Sequence, residues 1–382
     1  MYFSNTDIKK TLEDFLLENN MLTYDSFVGR VYNFCRSLGF EPGKILPSRA
    51  FCSDENQGYP IILIAKHFGT FPFNHGRVGG TVSTDRHGPH AEHGKDLLII
   101  HASHVGYDPS SRIFGTYHRR HTEDCEKTPS CGKIYDVLEW YLKQYTFAKD
   151  NIFLDRHGKD LRVTIDNQIL NEDKTDGLFL NMEKIVGTQR PGEFRPIKSY
   201  STSQCYSASQ EFCELMGVAT WSSHERRSIG NKLLPELFNF KWHSAGDSET
   251  HGLLEENLLR PMPWIVSSPY PLLTAAQANI QVEFDRSFRT LVNADGYHGK
   301  RVVFISCLNI DISPSEDILF PLTKTVPWAA FIQHENGSSV VLEQQDLMNR
   351  LLEQSQDNPD EVDLEHEIQN MKDTQEIKIA KV

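Results

Sequence analysis

The sequence has no long hydrophobic run and no excess of basic residues. Nowhere are about 18 or more consecutive residues apolar, so we expect no helix that spans a membrane. The formal net charge is −13 at pH 7. This acidity argues against nucleic-acid binding, because proteins that bind nucleic acids present a basic face. We therefore expect neither a membrane nor a nucleic acid among the partners.

The N-terminus lacks the apolar core of a signal peptide, because acidic residues run through "MYFSNTDIKKTLEDFLLENN". The seven cysteines are odd in number and widely scattered, and none lies in a CxxC pair. Such a pattern is not typical of a disulfide framework. We expect a cytoplasmic protein with reduced thiols, some of which could serve a metal or catalytic site.

Helical and strand patterns alternate along the chain, which is 39% hydrophobic and 24% charged. This composition is typical of a soluble protein with a substantial core. Hydrophobic periodicity predicts helices over 24–37, 207–217, 226–238 and 272–292. Uncharged runs predict buried strands over 97–103 and at "KRVVFISCLNI" (300–310). Interleaved helices and strands predict an α/β fold, with a sheet that is covered by helices.

Histidine is concentrated in one stretch of the chain. Nine of the sixteen histidines lie between His67 and His121, and Cys52 and Cys131 bracket that stretch. Thiolates and imidazoles are the usual ligands of zinc, and a catalytic zinc site has three protein ligands and one open position. Because the sequence contains neither CxxC nor HExxH, its ligands would come from separate segments.

The local sequence around three of these residues favours a metal site. A buried strand leads into His104, and open α/β sheets place their sites at the carboxyl ends of strands. Asp54 lies two residues after Cys52, and Cys131 opens a predicted helix over 131–145. The dipole at a helix N-terminus stabilises a thiolate, which suits a metal ligand.

Five motifs occur in the order found in the limiting-CO2-inducible B family, which includes the theta-class carbonic anhydrases. They are "CSDE" (52–55), "HGPHAEHG" (87–94), "ASHVGYD" (102–108), "FGTYHRR" (114–120) and "SCGK" (130–133). The chain resembles this family well over 45–135 and more thinly over 270–355, and we see no resemblance over 140–265. The region 140–265 is therefore expected to be divergent or inserted.

The resemblance implies a β-carbonic-anhydrase-like sheet covered by helices on both faces, in a protein that forms a homodimer. It also implies a zinc ion that is bound by Cys52, His104, Cys131 and a water molecule. His101 is an alternative to His104. Cys125 is an alternative to Cys131, because the spacing "CEKTPSC" is longer than the family's.

The resemblance further assigns catalytic roles. Asp54 matches a carboxylate that pairs with an arginine beside the metal, although it could instead cap the segment after Cys52. Arg119 in "GTYHRR" is favoured as that arginine over Arg77 in "GRVGG". His87 is a candidate proton shuttle because the pKa of histidine lies near neutrality, and His90 and His93 are alternatives.

The implied function is that of a zinc-dependent carbonic anhydrase, which interconverts CO2 and bicarbonate with a hydroxide made available by zinc. The alternative is a catalytically silent zinc-binding homologue that acts in assembly as a scaffold. A third hypothesis is a zinc hydrolase whose substrate pocket lies in 140–265. We expect one domain over 1–355 with two helices in 1–40, followed by a charged and mobile tail over 356–382.

Overall fold

A computed structural model of the chain describes residues 5–82, 96–119, 127–166, 177–187, 192–196, 204–243, 249–315, 318 and 320–372. These residues divide into two compact units. Unit 1 contains the described residues within Met1–Phe15, Val105–His118 and Glu126–Asn279, and unit 2 contains those within Leu16–His104, Arg119–Cys125 and Ile280–Val382. The prediction of one domain over 1–355 stays a prediction.

The described residues form eleven α-helices. They are α1 (Asn5–Glu13), α2 (Tyr24–Ser37), α3 (Gly58–Phe68), α4 (Gly132–Asn151), α5 (Met182–Ile185), α6 (Gln210–Met216), α7 (Glu249–Leu259), α8 (Met262–Ser267), α9 (Pro271–Asn293), α10 (Gln344–Leu352) and α11 (Leu364–Lys372). None of these helices is both long enough and apolar enough to cross a bilayer.

The same residues form seventeen strands. They are β1 (Leu22–Thr23), β2 (Ile45–Phe51), β3 (Phe73–Asn74), β4 (Asp96–Asp108), β5 (Ile113–Phe114), β6 (Thr116–His118), β7 (Lys127–Pro129), β8 (Ile152–His157), β9 (Asp160–Ile165), β10 (Leu178–Asn181), β11 (Phe194–Pro196), β12 (Gln204–Ser207), β13 (His224–Ser228), β14 (Phe238–Phe240), β15 (Val302–Ile312), β16 (Leu322–Gln333) and β17 (Ser339–Leu342).

Unit 2 is built on a mixed sheet with the strand order β1-β16-β15-β4-β2-β3, and β17 pairs with β16. Strand β2 is parallel to β4, whereas β15 is antiparallel to β16. Successive side chains of a strand point to opposite faces, so β4 and β15 can fill two cores. The α/β prediction is therefore confirmed.

Helices cover both faces of this sheet. On one face, Leu98 and Ile305 lie in a core with side chains of α2, α3 and α10. On the other face, Ile99 and Phe304 pack with Phe284 of α9. Each face of the sheet is thus shielded from water by helices, as predicted.

Local sequence explains the helices of this unit. Helix α2 begins where predicted, and the Thr23 side chain accepts a hydrogen bond from the Ser26 amide at its N-terminus. Helix α3 has Pro60 in its first turn, where the amide hydrogen that proline lacks would have no helical acceptor. Gly69, with φ of 68°, ends the helix in the left-handed conformation.

Part of the predicted tail packs on unit 2. The Asn358 side chain donates a hydrogen bond to the His67 carbonyl at 2.8 Å, and the Tyr32 hydroxyl donates one to Asp360 at 2.5 Å. A Cβ on Gly29 of α2 would lie 2.0 Å from the Gln356 carbonyl oxygen. This segment therefore approaches α2 so closely that only glycine fits.

Unit 1 contains smaller sheets, with strand orders β12-β9-β8-β13, β11-β10-β14 and β6-β7. The helix predicted over 226–238 is wrong. Residues His224–Ser228 form β13, which pairs antiparallel with β8, and two short 3-10 turns follow. Gly230 has φ of 50°, and Pro235 lacks the amide hydrogen that a continuing helix would use.

Candidate metal centre

Cys52 and His104 lie at the same edge of the unit 2 sheet. Cys52 directly follows β2, and His104 lies in the neighbouring parallel strand β4, where Phe51 is paired with Ala102. Both side chains are buried, at 3% and 0% exposure. Parallel pairing therefore brings the Cys52 thiol, just beyond the end of β2, next to the His104 imidazole of β4, although they are 52 residues apart in sequence.

A glycine-rich segment, Gly76–Val82, approaches Cys52 and is called the glycine loop below. The Gly79 amide donates a hydrogen bond to the Cys52 Sγ at 3.2 Å. Gly79 and Gly80 both have φ near 75° (74° and 77°). A Cβ on Gly76 would lie 2.0 Å from the Phe51 carbonyl oxygen. The loop is thus rich in glycine because its backbone must contact the strand, and its amide stabilises negative charge on the sulfur.

His104 is oriented by a buried carboxylate. Its Nδ1 lies 2.7 Å from Oδ2 of Asp311, and both side chains are 0% exposed. A carboxylate accepts, so Nδ1 carries the proton and donates. In the neutral imidazole, Nε2 is then unprotonated, and its lone pair can bind a metal.

Asp311 lies in a hydrogen-bond network that the sequence did not predict. The Gln57 Nε2 donates to both Asp311 oxygens, at 3.2 and 3.0 Å, and the Thr323 hydroxyl donates to Oδ1 at 3.2 Å. The side-chain Nδ2 of Asn309 in turn donates to the Gln57 Oε1 at 2.8 Å. The available signal is that Asp311 directly follows the predicted strand over 300–310.

Asp54 caps the turn after Cys52 and also faces His104. Its Oδ1 accepts a hydrogen bond from the Asn56 amide at 3.1 Å, and its Oδ2 lies 3.8 Å from the His104 Nε2. Burial raises the pKa of the Asp54 carboxyl above its usual range, although His104 opposes the shift. The capping role is thus present, and the carboxylate also lies beside the candidate ligand nitrogen.

The two candidate arginines have different surroundings. Arg119 forms an ion pair with Glu55, the neighbour of Asp54 in sequence. The Asp54 carboxyl group itself lies beside the His104 imidazole. Arg77 is the second residue of the glycine loop, where its amide donates to the Thr81 carbonyl at 2.9 Å.

Cys131 precedes α4 in unit 1 and is 1% exposed. The residue before it, Ser130, accepts a hydrogen bond from the Gly106 amide at 3.0 Å. Gly106 belongs to β4, the same strand as His104, because β4 continues to Asp108 rather than ending at 103 as predicted. The glycine suits close packing there rather than a turn, since a Cβ would lie 2.6 Å from the Thr116 carbonyl oxygen.

Cys52, His104 and Cys131 are a group of buried side chains that could bind a metal ion, each with one ligand atom. Two thiolates and one imidazole are soft and borderline donors, which suit zinc better than the oxygen-preferring cations. The orientation of His104 by Asp311 is the arrangement that metal-binding histidines usually have. The donor set therefore fits zinc.

The other candidate histidines have other positions. His101 is fully buried in unit 2, where its Nε2 lies 2.8 Å from the Gly80 carbonyl and its Nδ1 lies 2.9 Å from the Ser306 Oγ. The Gly80 carbonyl can only accept, so Nε2 carries the proton and His101 contacts the glycine loop. Residues His87, His90, His93 and Cys125 lie outside the described residues.

Comparison with solved structures found proteins of similar overall size. A histidine-to-alanine variant of PtLCIB4, described as a homolog of the limiting CO2-inducible protein LCIB, is 12% identical, with a TM-score of 0.49 over 88% of this chain and 96% of that chain. PtLCIB4 itself is 13% identical, with a TM-score of 0.47 over 89% and 99%. The limiting CO2-inducible protein LCIB is 12% identical, with a TM-score of 0.45 over 86% and 96%. Comparisons with protein-family models and with curated proteins found no match.

Proposed function

We propose that the chain is a zinc-dependent carbonic anhydrase that interconverts CO2 and bicarbonate. The observation that carries this proposal is the buried group of Cys52, His104 and Cys131, with His104 oriented by Asp311. Three protein ligands leave one position for water, as catalytic zinc sites require. The motif resemblance to the limiting-CO2-inducible B family supports the same assignment.

A zinc ion bound there would lower the pKa of water toward neutrality, which is the chemistry that CO2 hydration needs. Two thiolates offset the charge of Zn²⁺, so the surrounding residues must adjust the site. The Gly79 amide withdraws charge from the Cys52 Sγ, and Asp311 keeps the proton of His104 on Nδ1. Both contacts set the donor strength of the ligands.

Asp54 is the carboxylate that we propose as the proton acceptor and orienting group. Its Oδ2 is 3.8 Å from the His104 Nε2, so it borders the position that the metal would occupy. We propose that Arg119 assists Asp54, with Arg77 as the alternative. The ion pair of Arg119 with Glu55 restrains the turn that carries Asp54. His87 remains the proposed proton shuttle.

We also propose a cytoplasmic homodimer as the working form of the protein. Analytical ultracentrifugation of the purified chain measures the oligomeric state, and a sedimentation coefficient of a monomer would contradict it. Fractionation of cells that express the full chain measures the location.

The test is CO2 hydration by the reduced, zinc-loaded protein, followed by stopped-flow with a pH indicator. We expect turnover that rises with pH, and its loss in the Cys131→Ser variant. Cys213→Ser is the matched control, because Cys213 is a half-buried thiol on α6 outside the proposed site. Zinc content is measured for all three proteins.

Two results would overturn parts of this proposal. Zinc binding without turnover at any pH would contradict the enzyme and leave a silent zinc-binding protein. Full turnover in Cys131→Ser would contradict the ligand assignment while keeping the activity.

A further inference from the structure

Besides the hydrogen bond of Gly79 to Cys52, two attachments connect the glycine loop to the rest of unit 2. The loop is itself closed, because Gly76 and Val82 form an isolated antiparallel bridge and the Arg77 amide donates to the Thr81 carbonyl. The first attachment is the hydrogen bond that His101 donates to the Gly80 carbonyl. The second attachment comes from α9.

Glu283 and Arg286 of α9 bind both backbone polar groups of Val82. The Val82 amide donates to the Glu283 Oε2 at 3.0 Å, and the Arg286 guanidinium donates to the Val82 carbonyl at 2.6 Å. Arg286 also forms an ion pair with the same Glu283 oxygen. These three residues are called the Val82 clamp below.

Burying the charged Glu283 in the Val82 clamp costs free energy, which is unusual for a contact that only holds a loop. The Glu283 side chain is 0% exposed, and a buried carboxylate is stable only when it is paired and hydrogen-bonded. Nearby α9 residues that face the core, such as Phe284 and Leu291, are apolar. The charged pair on this helix thus serves a backbone segment that lies in none of the larger sheets.

We propose that Glu283 and Arg286 are positioning residues of the metal centre, a role that rests on the proposed zinc binding. They fix Val82 and thereby keep the Gly79 amide on the Cys52 Sγ. Charge-assisted hydrogen bonds give the loop one defined position. Both residues act on Cys52 through the loop.

The test compares three variants of α9 in the full chain. Arg286→Met removes the donor to the Val82 carbonyl and also the ion pair of the buried Glu283, so thermal melting of each variant verifies that it is folded. Arg286→Lys keeps a positive donor and should restore much of the effect. Arg289→Met is the matched control, because Arg289 lies on the same helix and pairs only with the exposed Asp285 among the ion pairs of described residues.

The first measurement is amide hydrogen exchange of a peptide that covers 76–82, in the metal-free proteins. We expect faster exchange in Arg286→Met, partial recovery in Arg286→Lys and no change in Arg289→Met. Unchanged exchange in Arg286→Met would refute the Val82 clamp whether or not the protein binds zinc.

The second measurement is zinc affinity by chelator competition, with the thiolate-to-cobalt charge-transfer band of Co²⁺-loaded protein. Loss of a contact that orients a ligand typically weakens metal binding by about 10- to 100-fold, which we expect for Arg286→Met. The cobalt band should move to longer wavelength, because a thiolate without its amide hydrogen bond is a stronger electron donor. A merely structural residue would leave that band in place.

The outcomes separate this proposal from the proposed function. Faster exchange with unchanged zinc affinity and cobalt spectrum would refute the positioning role and leave the metal site intact. A parent protein that binds neither metal would refute the proposed function, and with it any action of the clamp on Cys52.

Discussion

Replacing Asp311 with asparagine should weaken zinc binding by about tenfold. Asp311 accepts the Nδ1 proton of His104 at 2.7 Å, and both groups are fully buried. A hydrogen bond to a charged partner contributes about 1.5–3 kcal/mol, roughly twice the value for a neutral one. Asparagine keeps one acceptor oxygen for His104 but loses the charge. A loss of about 1.4 kcal/mol corresponds to the tenfold change.

Asp311→Leu should weaken zinc binding further, toward about 100-fold, because no acceptor remains for His104. It also leaves Gln57 and Thr323 without the acceptor that they share. Each buried donor that loses its acceptor costs about 1–3 kcal/mol, so the metal-free protein should melt at a lower temperature as well. Asp311→Asn should affect the melting temperature much less.

The assay is competition with a chromophoric chelator at fixed pH, together with thermal melting of the metal-free proteins. Asp285→Asn is the matched control, since this aspartate is 51% exposed and lies on the outer part of α9. If Asp311→Asn binds zinc as tightly as the parent, His104 does not depend on its carboxylate partner. The proposed role of Asp311 in orienting His104 for metal binding would then be refuted.

Two further predictions concern stability. Burial lowers the pKa of His101 to about 4 from its ordinary 6.5, so the folded protein favours the neutral form. The free energy of unfolding is therefore unaffected by His101 at pH values above its ordinary pKa. As the pH falls toward 4, the unfolded chain takes up a proton that the folded protein does not, and the free energy of unfolding decreases by about 3 kcal/mol in total. Urea unfolding at several pH values measures this, and a His101→Gln variant whose curve runs parallel to the parent would refute it. Gly29→Ala should destabilise unit 2 by about 2 kcal/mol or more, because its Cβ would lie 2.0 Å from the Gln356 carbonyl oxygen. Gly58→Ala is the control, as no atom lies within 4 Å of that Cβ, and equal melting temperatures would contradict the prediction.

Local signals predicted those parts of the fold that local interactions determine. Helix α2 was predicted over its full length, because Thr23 supplies its cap and its apolar face has helical spacing. Strand β15 was predicted from an uncharged run rich in branched residues. The segment 226–238 was mistaken for a helix, because the pairing of β13 with β8 outweighs the apolar spacing.

The candidate ligands could be predicted from motifs, but their partners could not. Asp311 is 207 residues from His104 in sequence, and Glu283 is 201 residues from Val82. No periodicity or spacing rule connects positions so far apart. Buried carboxylates such as these look like ordinary surface residues in the sequence, and only the packed sheet shows what they bind.

The long separation between His104 and Asp311 has a consequence for biosynthesis. Ribosomes add about 5–20 residues per second, so the carboxylate follows its histidine by about 10–40 s, given the 207 intervening positions. During that interval the nascent chain already carries Cys52 and His104 without the strand that orients the imidazole. The proposed metal binding would therefore require synthesis through β15, which supplies the carboxylate that orients the imidazole.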